Sequence, residues 1–437
     1  MLSSNINESG HPIRELSKNP SELGTTDLDE HLLDSSNEEF DSFRSSFMQT
    51  VFNLTKFYFG ISILATPYGF KESGIIGGVV GVILFSSLNV FTVYIQTQAA
   101  IDYDRKIKSL SEFSYRVLGI YNKILIDLCI IAVQVGGGIA YLLFIGAQVD
   151  HTICLGTEIH WGYKNYYILI AVLALIPICW LKSLRSISYI SLITLIGMFL
   201  SFFAIIYFSA ETIIKGEHRY HETKTFDFIR YPFFAGIVML GFNGNTVSLN
   251  LRASMKRKQD FDKAVVVSTI IVVSVTVWIG VLSYIAYGLA TDDIITLSLP
   301  HNIFTIIAQL LYSFGLFGSY PIQMVPCIDI IENTESYKKL PNLSFFDIRY
   351  YTVRTLYVLF TGFVAIYVPR FGRFVDFNGA LSGTTICVVF PIVIHETVFK
   401  DRLSIKQKVM NRVAFTIGTI FGISSLVIAF VSLVRGF

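Results

Sequence analysis

Long apolar runs recur along this 437-residue chain, separated by short polar stretches. A bilayer's hydrocarbon core takes about 20 apolar residues per helix. Backbone groups inside it must be hydrogen-bonded within the spanning element, so runs of this length are membrane helices. Hydropathy places them at Ser46 to Gly69, Ile75 to Ala99, Lys123 to Gln148, Tyr166 to Leu181, Ile187 to Phe208 and Phe233 to Leu251. A second set runs Ala264 to Leu289, Ile303 to Ile330, Tyr350 to Val368, Phe374 to Val398 and Val413 to Val434. The expected fold is an all-α integral membrane protein of about eleven transmembrane helices, given that length requirement. Charged residues make up 15% of the chain. Soluble domains average about 25%, so too little polar surface remains to coat this chain in water.

The loops orient the chain. With a cytosolic N-terminus, the inside loops hold Arg105, Lys106, Lys108 and Arg116, then Lys182 and Arg185, then Arg252, Lys256, Arg257 and Lys258. They also hold Lys338, Lys339 and Arg349, and finally Lys400, Arg402, Lys406, Lys408 and Arg412. The outside loop from Ala290 to Asn302 has no Lys or Arg, and only Ser209 to Pro232 departs from the trend. A Lys/Arg excess in short loops marks the cytosolic side. Residues 1–43 are rich in Ser, Asn, Asp and Glu and cannot bury a core. They read as a disordered cytosolic tail ahead of a transmembrane domain over residues 44–437. The formal net charge of +2 offers no basic field for a nucleic-acid partner. The five cysteines form no C-x-x-C pair, and only Cys154 falls in a predicted loop, so neither a metal site nor a disulfide framework is expected.

Two helices are interrupted. The first reads F-G-I-S-I-L-A-T-P-Y-G-F from Phe59 to Phe70, and the sixth reads L-G-F-N-G-N from Leu240 to Asn245. Interior Gly costs a helix about 1 kcal/mol relative to Ala, and interior Pro about 3 kcal/mol. Unwound backbone in a membrane persists only where it lines a cavity or is buried in protein. Paired interruptions at corresponding positions in two halves point to a transporter's substrate site. The N–H end of a half-helix suits a carboxylate, and free carbonyls suit an ammonium or a cation. The competing reading is that the glycines only let helices pack closely. For Gly136, Gly137 and Gly138, packing is the expected role.

With these features in view, the chain resembles the amino acid/auxin permease family, which holds proton-coupled, sodium-coupled and vacuolar amino acid transporters. The resemblance rests on Phe52 to Gly74 (F-N-L-T-K-F-Y-F-G-I-S-I-L-A-T-P-Y-G-F-K-E-S-G) and on Pro232 to Lys256 around L-G-F-N-G-N. It continues in I-T-L-S-L-P, Ile295 to Pro300, with Y-P-I-Q-M-V-P, Tyr320 to Pro326, and in G-A-L-S-G-T, Gly379 to Thr384. The resemblance covers about Phe47 to the C-terminus and implies a LeuT-like 5+5 inverted repeat plus one extra helix, helices 1 and 6 discontinuous. It implies alternating access, with an amino acid held between the first, third, sixth and eighth helices.

The resemblance also assigns residues. Gly60, Ile61 and Ser62 occupy the family's G-x-G position, with Ser62 in place of the second Gly, and their backbone is expected to hold the substrate carboxylate. The Ser62 hydroxyl either contacts substrate or bonds back to its own helix. Gly241, Phe242, Asn243 and Gly244 match the F-E-G region, with Asn243 in place of the acid. Carbonyls near Gly241 are expected to meet the ammonium and Phe242 to wall or gate the pocket. Asn243 alternatively bridges helices. Tyr141 in the third helix either offers its hydroxyl to substrate or packs.

No cofactor is expected, only a coupling ion, H⁺ or Na⁺. Asn53 sits where proton-coupled members often carry His, and Ser319 falls where sodium-coupled members place a hydroxyl ligand. The two are candidate ion-coupling residues, with polar bonding between helices as the alternative. Proton coupling needs a titratable group in the pathway. Asp127, Asp376, His395 and Glu396 lie near helix ends, where snorkelling to the interface makes them structural. Lys56, deeper in the first helix, needs an aqueous vestibule or a partner.

The expected function is secondary active transport, by symport, of small neutral amino acids across a bilayer. An amino-acid sensor of the same fold, signalling through its tail, is the alternative. No cluster of His, Asp or Ser–His groups within the spans suggests an enzyme. D-E-H-L-L, Asp29 to Leu33, resembles an acidic dileucine sorting signal. The expected location is an endolysosomal or vacuolar membrane or the plasma membrane.

Overall fold

The computed structural model describes residues 45–104, 107, 109–157, 164–180, 184–300, 302–334, 337, 348–368, 370–400 and 402–435. The tail and its dileucine sequence lie outside these residues. The first spanning helix is two pieces, Phe47–Tyr58 (α1) and Ser62–Ser73 (α2). Ile75–Tyr103 (α3) follows, then a short helix, Leu110–Leu118 (α4), then Ile120–Thr157 (α5), Lys164–Cys179 (α6) and Leu184–Ile214 (α7). The sixth spanning helix is again two pieces, Tyr231–Gly241 (α8) and Asn245–Ser254 (α9). Phe261–Tyr287 (α10), Ile303–Asn333 (α11) and Ile348–Tyr367 (α12) come next. The tenth is Phe371–Ser382 (α13), a π-helical segment Gly383–Val389, and Phe390–Val398 (α14); the last is Ile405–Arg435 (α15).

Seven of these paths are long and apolar enough to cross a membrane. The two broken helices, the short α6 and α12 complete the eleven expected crossings among the described residues. We call the side on which α1 begins the near face and the opposite side the far face. The third helix runs on to Thr157, so Cys154, expected in a loop, lies in helix. The amphipathic α4, capped by the Ser109 hydroxyl accepting from the Glu112 N–H at 3.2 Å, occupies a segment read only for its loop charge.

The neighbours of each helix reveal the repeat. The fifth packs on the eighth and the tenth on the third; the first packs on the seventh and the sixth on the second. The third meets the ninth as the eighth meets the fourth, and the fifth meets the seventh as the tenth meets the second. Exchanging the first five helices with the second five maps each pair onto its counterpart. This is the 5+5 arrangement, and the eleventh lies outside it: its span is 28% buried against 72% for the tenth.

The two broken helices are clasped to each other at both faces. On the near face, the Ser45 N–H donates to the Ser254 carbonyl at 2.8 Å and the Lys256 N–H donates to the Ser45 carbonyl at 3.0 Å. On the far face, Ile75 and Ile76 N–H groups donate to the Lys224 and Thr225 carbonyls at 3.0 Å, and the Asp227 N–H donates to the Ser73 carbonyl at 2.9 Å. The start of one broken helix is thus tied to the end of the other, as an inverted repeat requires. Lys224 donates to Asp227 at 2.8 Å, and this bond holds the Asp227 carboxyl below the usual carboxylate range.

Candidate functional site between the two broken helices

Both interruptions have the same backbone design. Phe59 leaves α1 at φ −74°, ψ 41°, while its N–H still donates to the Thr55 carbonyl at 2.9 Å. Phe242 leaves α8 at φ −100°, ψ 55°, with its N–H on the Val238 carbonyl at 3.0 Å. Each second half restarts from a residue of helical dihedrals, Ile61 or Gly244, without a side-chain cap. At the helix starts, the Ile63 and Leu64 N–H groups donate in tight turns to the Gly60 and Ile61 carbonyls at 3.3 and 3.2 Å, and the Val247 N–H donates to the Gly244 carbonyl at 3.3 Å. The remaining first N–H groups of the second halves and the last carbonyls of α1 and α8 lack i to i+4 partners within their own helices. The N-terminal ends carry partial positive charge and the C-terminal ends partial negative charge.

These four ends come together. A Cβ built on Gly241 would lie 2.9 Å from the Ser62 Oγ. The Tyr58 and Phe242 rings sit 5.8 Å apart. A Cβ on Gly244 would overlap the Tyr58 hydroxyl. Two helix N-termini and two C-termini thus face one small region of mixed sign.

The residues singled out in the sequence fall as follows. Gly60 is half-buried, and Ile61 and Ser62 are buried. A Cβ on Gly60 would meet only the Phe57 carbonyl, at 3.7 Å, which leaves open room beside the first break. Phe242 is buried against Tyr58, a wall of the site. The Asn243 Oδ1 accepts from the Cys387 thiol at 2.9 Å, which links the second break to the π-helical segment. Tyr141 is half-buried on α5, and its hydroxyl makes no hydrogen bond to a described residue. Asn53 is exposed on α1, and Ser319 is half-buried on α11. Lys56 is half-buried and forms no ion pair among the described residues.

The α9 side of the second break is locked by a network that sequence reasoning missed. The Tyr58 hydroxyl donates to Asn89 Oδ1 at 3.0 Å, and Asn89 Nδ2 donates to Asn245 Oδ1 at 2.9 Å. Asn245 Nδ2 donates to Gln96 Oε1 at 2.9 Å, and Gln96 Nε2 returns to the Asn245 carbonyl at 3.0 Å. Thr92 and Ser248 add hydroxyl bonds to Asn245 at 3.2 Å. All six residues are buried. A fully bonded polar network of this kind rigidifies the elements it joins. Asn and Gln in mid-span of the second helix were the available signal.

The other motifs surround this region. Thr296 of I-T-L-S-L-P is buried, accepting from Gln148 of α5 through its hydroxyl and from Gln309 Nε2 of α11 through its carbonyl at 2.6 Å. In G-A-L-S-G-T, a Cβ on Gly379 would run into the Gly236 carbonyl, and one on Gly383 would lie 2.6 Å from the Met239 Cβ. Those glycines let the tenth helix press against α8. Gly136, Gly137 and Gly138 meet Asn378, Gln323 and Tyr357 from three different helices, the packing role expected of them. Of the acids near helix ends, Asp127 pairs with Lys123 at 2.5 Å. Asp376 does not reach an interface as expected: it is wholly buried, because α8 and α15 cover its face of α13.

The chain is 27% identical over 400 residues to the amino acid transporter ANT1 of Arabidopsis thaliana, covering 87% of this chain and 91% of that one. It is 23% identical over 286 residues to vacuolar amino acid transporter 4 of Saccharomyces cerevisiae, covering 64% of this chain and 40% of that one. Among solved structures, the manganese transporter of Eremococcus coleocola aligns over 87% of each chain at 13% identity, with a TM-score of 0.45. The model of the transmembrane amino acid transporter protein family matches residues 44–435, and this multi-pass membrane protein belongs to that family.

Proposed function

We propose that this protein moves small neutral amino acids across its membrane by alternating access around the two breaks. The observation that carries the proposal is the meeting of two helix N-termini with two C-termini. A zwitterion presents a carboxylate and an ammonium on one carbon, and such a site offers both complements from backbone alone. The N–H groups around Gly60, Ile61 and Ser62 take the carboxylate, and carbonyls near Gly241 take the ammonium. Ile61, Ser62, Phe242 and Asn243 then surround the side chain with uncharged groups, which favours small neutral substrates. The Lys/Arg excess in the near-face loops supports a cytosolic near face. An ion gradient, H⁺ or Na⁺, drives the cycle. The similarity to a vacuolar amino acid transporter of Saccharomyces cerevisiae supports a vacuolar membrane as the location. The test is uptake of a panel of radiolabelled amino acids into proteoliposomes, with and without H⁺ and Na⁺ gradients. Saturable uptake of small neutral members is expected, and no uptake of any member under any gradient would defeat the reading.

A further inference from the structure

The first turns of α13 hold a carboxyl that the breaks do not use. Asp376 is 0% exposed. Its Oδ1 accepts from the Ser425 hydroxyl of α15 at 2.5 Å, and its Oδ2 has no hydrogen-bond partner among the described residues. On the α8 side it meets backbone: a Cβ on Gly236 would overlap Asp376 Oδ1 and approach its carbonyl at 2.5 Å. Below it, Gly379 rides against the Gly236 carbonyl. The seam of α8, α13 and α15 is therefore closed directly over this side chain.

The charged groups within electrostatic reach are Arg373, on its own helix, and Glu72, on α2. Neither forms an ion pair with it: Arg373 lies over the Phe233 ring at 4.5 Å, and Glu72 is paired with Arg230 at 3.1 Å. α5 meets this stretch of α13 through Gly136 against Asn378, and the π-helical segment brings no charged side chain. An ionised carboxylate so enclosed, with one hydroxyl bond and no ion pair among the described residues, costs far more than taking up a proton. Asp376 lies five positions from Phe371 at the far-face end of α13, and Gly236 lies five positions from Gly241, about 7.5 Å each at helical rise. Asp376 thus stands between the far face and the second break, on the half-helix path that leads to it.

We propose that Asp376 is the proton-binding carboxyl of this transporter, loaded while α8, α13 and α15 are packed together and emptied when they part. The proposal rests on the transport reading above. The O–H bond forms with a proton from the water that the carboxyl meets when the seam admits one aqueous phase. It breaks to water when the seam admits the other, so one proton crosses per cycle without any electron transfer. Ionised, the carboxylate favours a hydrated, parted seam; neutral, it permits the glycine-to-backbone approach that carries α8 inward.

Two measurements test this. Infrared difference spectra of the membrane-reconstituted full chain at neutral pH are expected to show the carbonyl stretch of a protonated carboxyl that Asp376→Asn lacks. A wild-type spectrum identical to that of Asp376→Asn would overturn the proposal. In proteoliposomes, an imposed pH gradient is expected to accelerate uptake of a neutral amino acid in the wild type. Asp376→Asn is expected to lose that acceleration while amino acid exchange at equal pH remains measurable. Asp376→Glu is expected to keep the acceleration with a displaced pH profile. Gradient-driven uptake that survives in Asp376→Asn would overturn the proposal. Wild-type exchange without any response to pH would overturn it too and leave the transport reading standing. If Asp376→Asn fails to fold, Ser425→Ala serves instead: a displaced pH profile supports the assignment, and an unmoved one contradicts it.

Discussion

Phe59 and Phe242 leave their helices with nearly the same backbone, and each helix restarts from an uncapped residue. Their surroundings differ. A methyl group added at Gly60 would touch only a carbonyl at 3.7 Å, whereas one at Gly244 would run into Tyr58 and stand 3.1 Å from Asn89 Oδ1. The first break faces space. The second is filled from the side by the second spanning helix, whose Asn89, Thr92 and Gln96 absorb the polar capacity of Asn245. Two interruptions of one design thus take two jobs. On the proposed reading, one offers N–H groups to the ligand, and the other is a braced wall against which the ligand is held.

The comparison breaks most severely at Gly244. Gly244→Leu forces a side chain into the space of the Tyr58 hydroxyl and separates Tyr58 from Asn89. Overpacking of this kind costs about 1–3 kcal/mol. Uptake is expected to vanish and thermal unfolding in detergent to move down; a variant with wild-type uptake and melting would show that the second break is not braced. Asn245→Ala comes next. It leaves Asn89 Nδ2 and Gln96 Oε1 buried without partners, and each such group costs about 1–3 kcal/mol. Lower thermal stability and a reduced maximal uptake rate are expected, with little change in apparent affinity, because Asn245 faces the brace rather than the space. A pure loss of affinity would place Asn245 in the pocket instead.

Ser62→Gly sharpens the comparison with the smallest change. It removes the hydroxyl that stands against Gly241 and widens the gap between the breaks. A pocket change of about one methylene is worth about tenfold in selectivity. Competition assays are expected to show larger neutral amino acids gaining on small ones by that order, with stability unchanged. An unchanged selectivity profile would mean that Ser62 seals the helix contact without touching substrate.

The sequence carried the spans and the breaks because both are local. Hydropathy sums along the chain, and the eighth helix begins at Ile303 as expected. Gly60, Gly241 and Gly244 weaken the helix where they stand. What stayed hidden is non-local. Asn89 and Asn245 are separated by 156 residues, so their bond appears in no run of sequence. Asp376 lies close to a helix end, and distance along its own helix suggested an escape to the interface. Its burial is decided by Gly236 and Ser425, which belong to other helices. α4 escaped because nine residues of amphipathic helix between charged loops look like loop to a search for spans.

The central claim is that the open first break holds the amino acid. Binding of a radiolabelled small neutral amino acid to purified protein, compared between wild type and Gly60→Leu, tests it most directly. Gly60 is not among the residues of positive φ, so the backbone accepts a side chain there. The account predicts saturable binding in the wild type, loss of binding in Gly60→Leu, and matching thermal unfolding curves for the two. Wild-type binding by Gly60→Leu would contradict it.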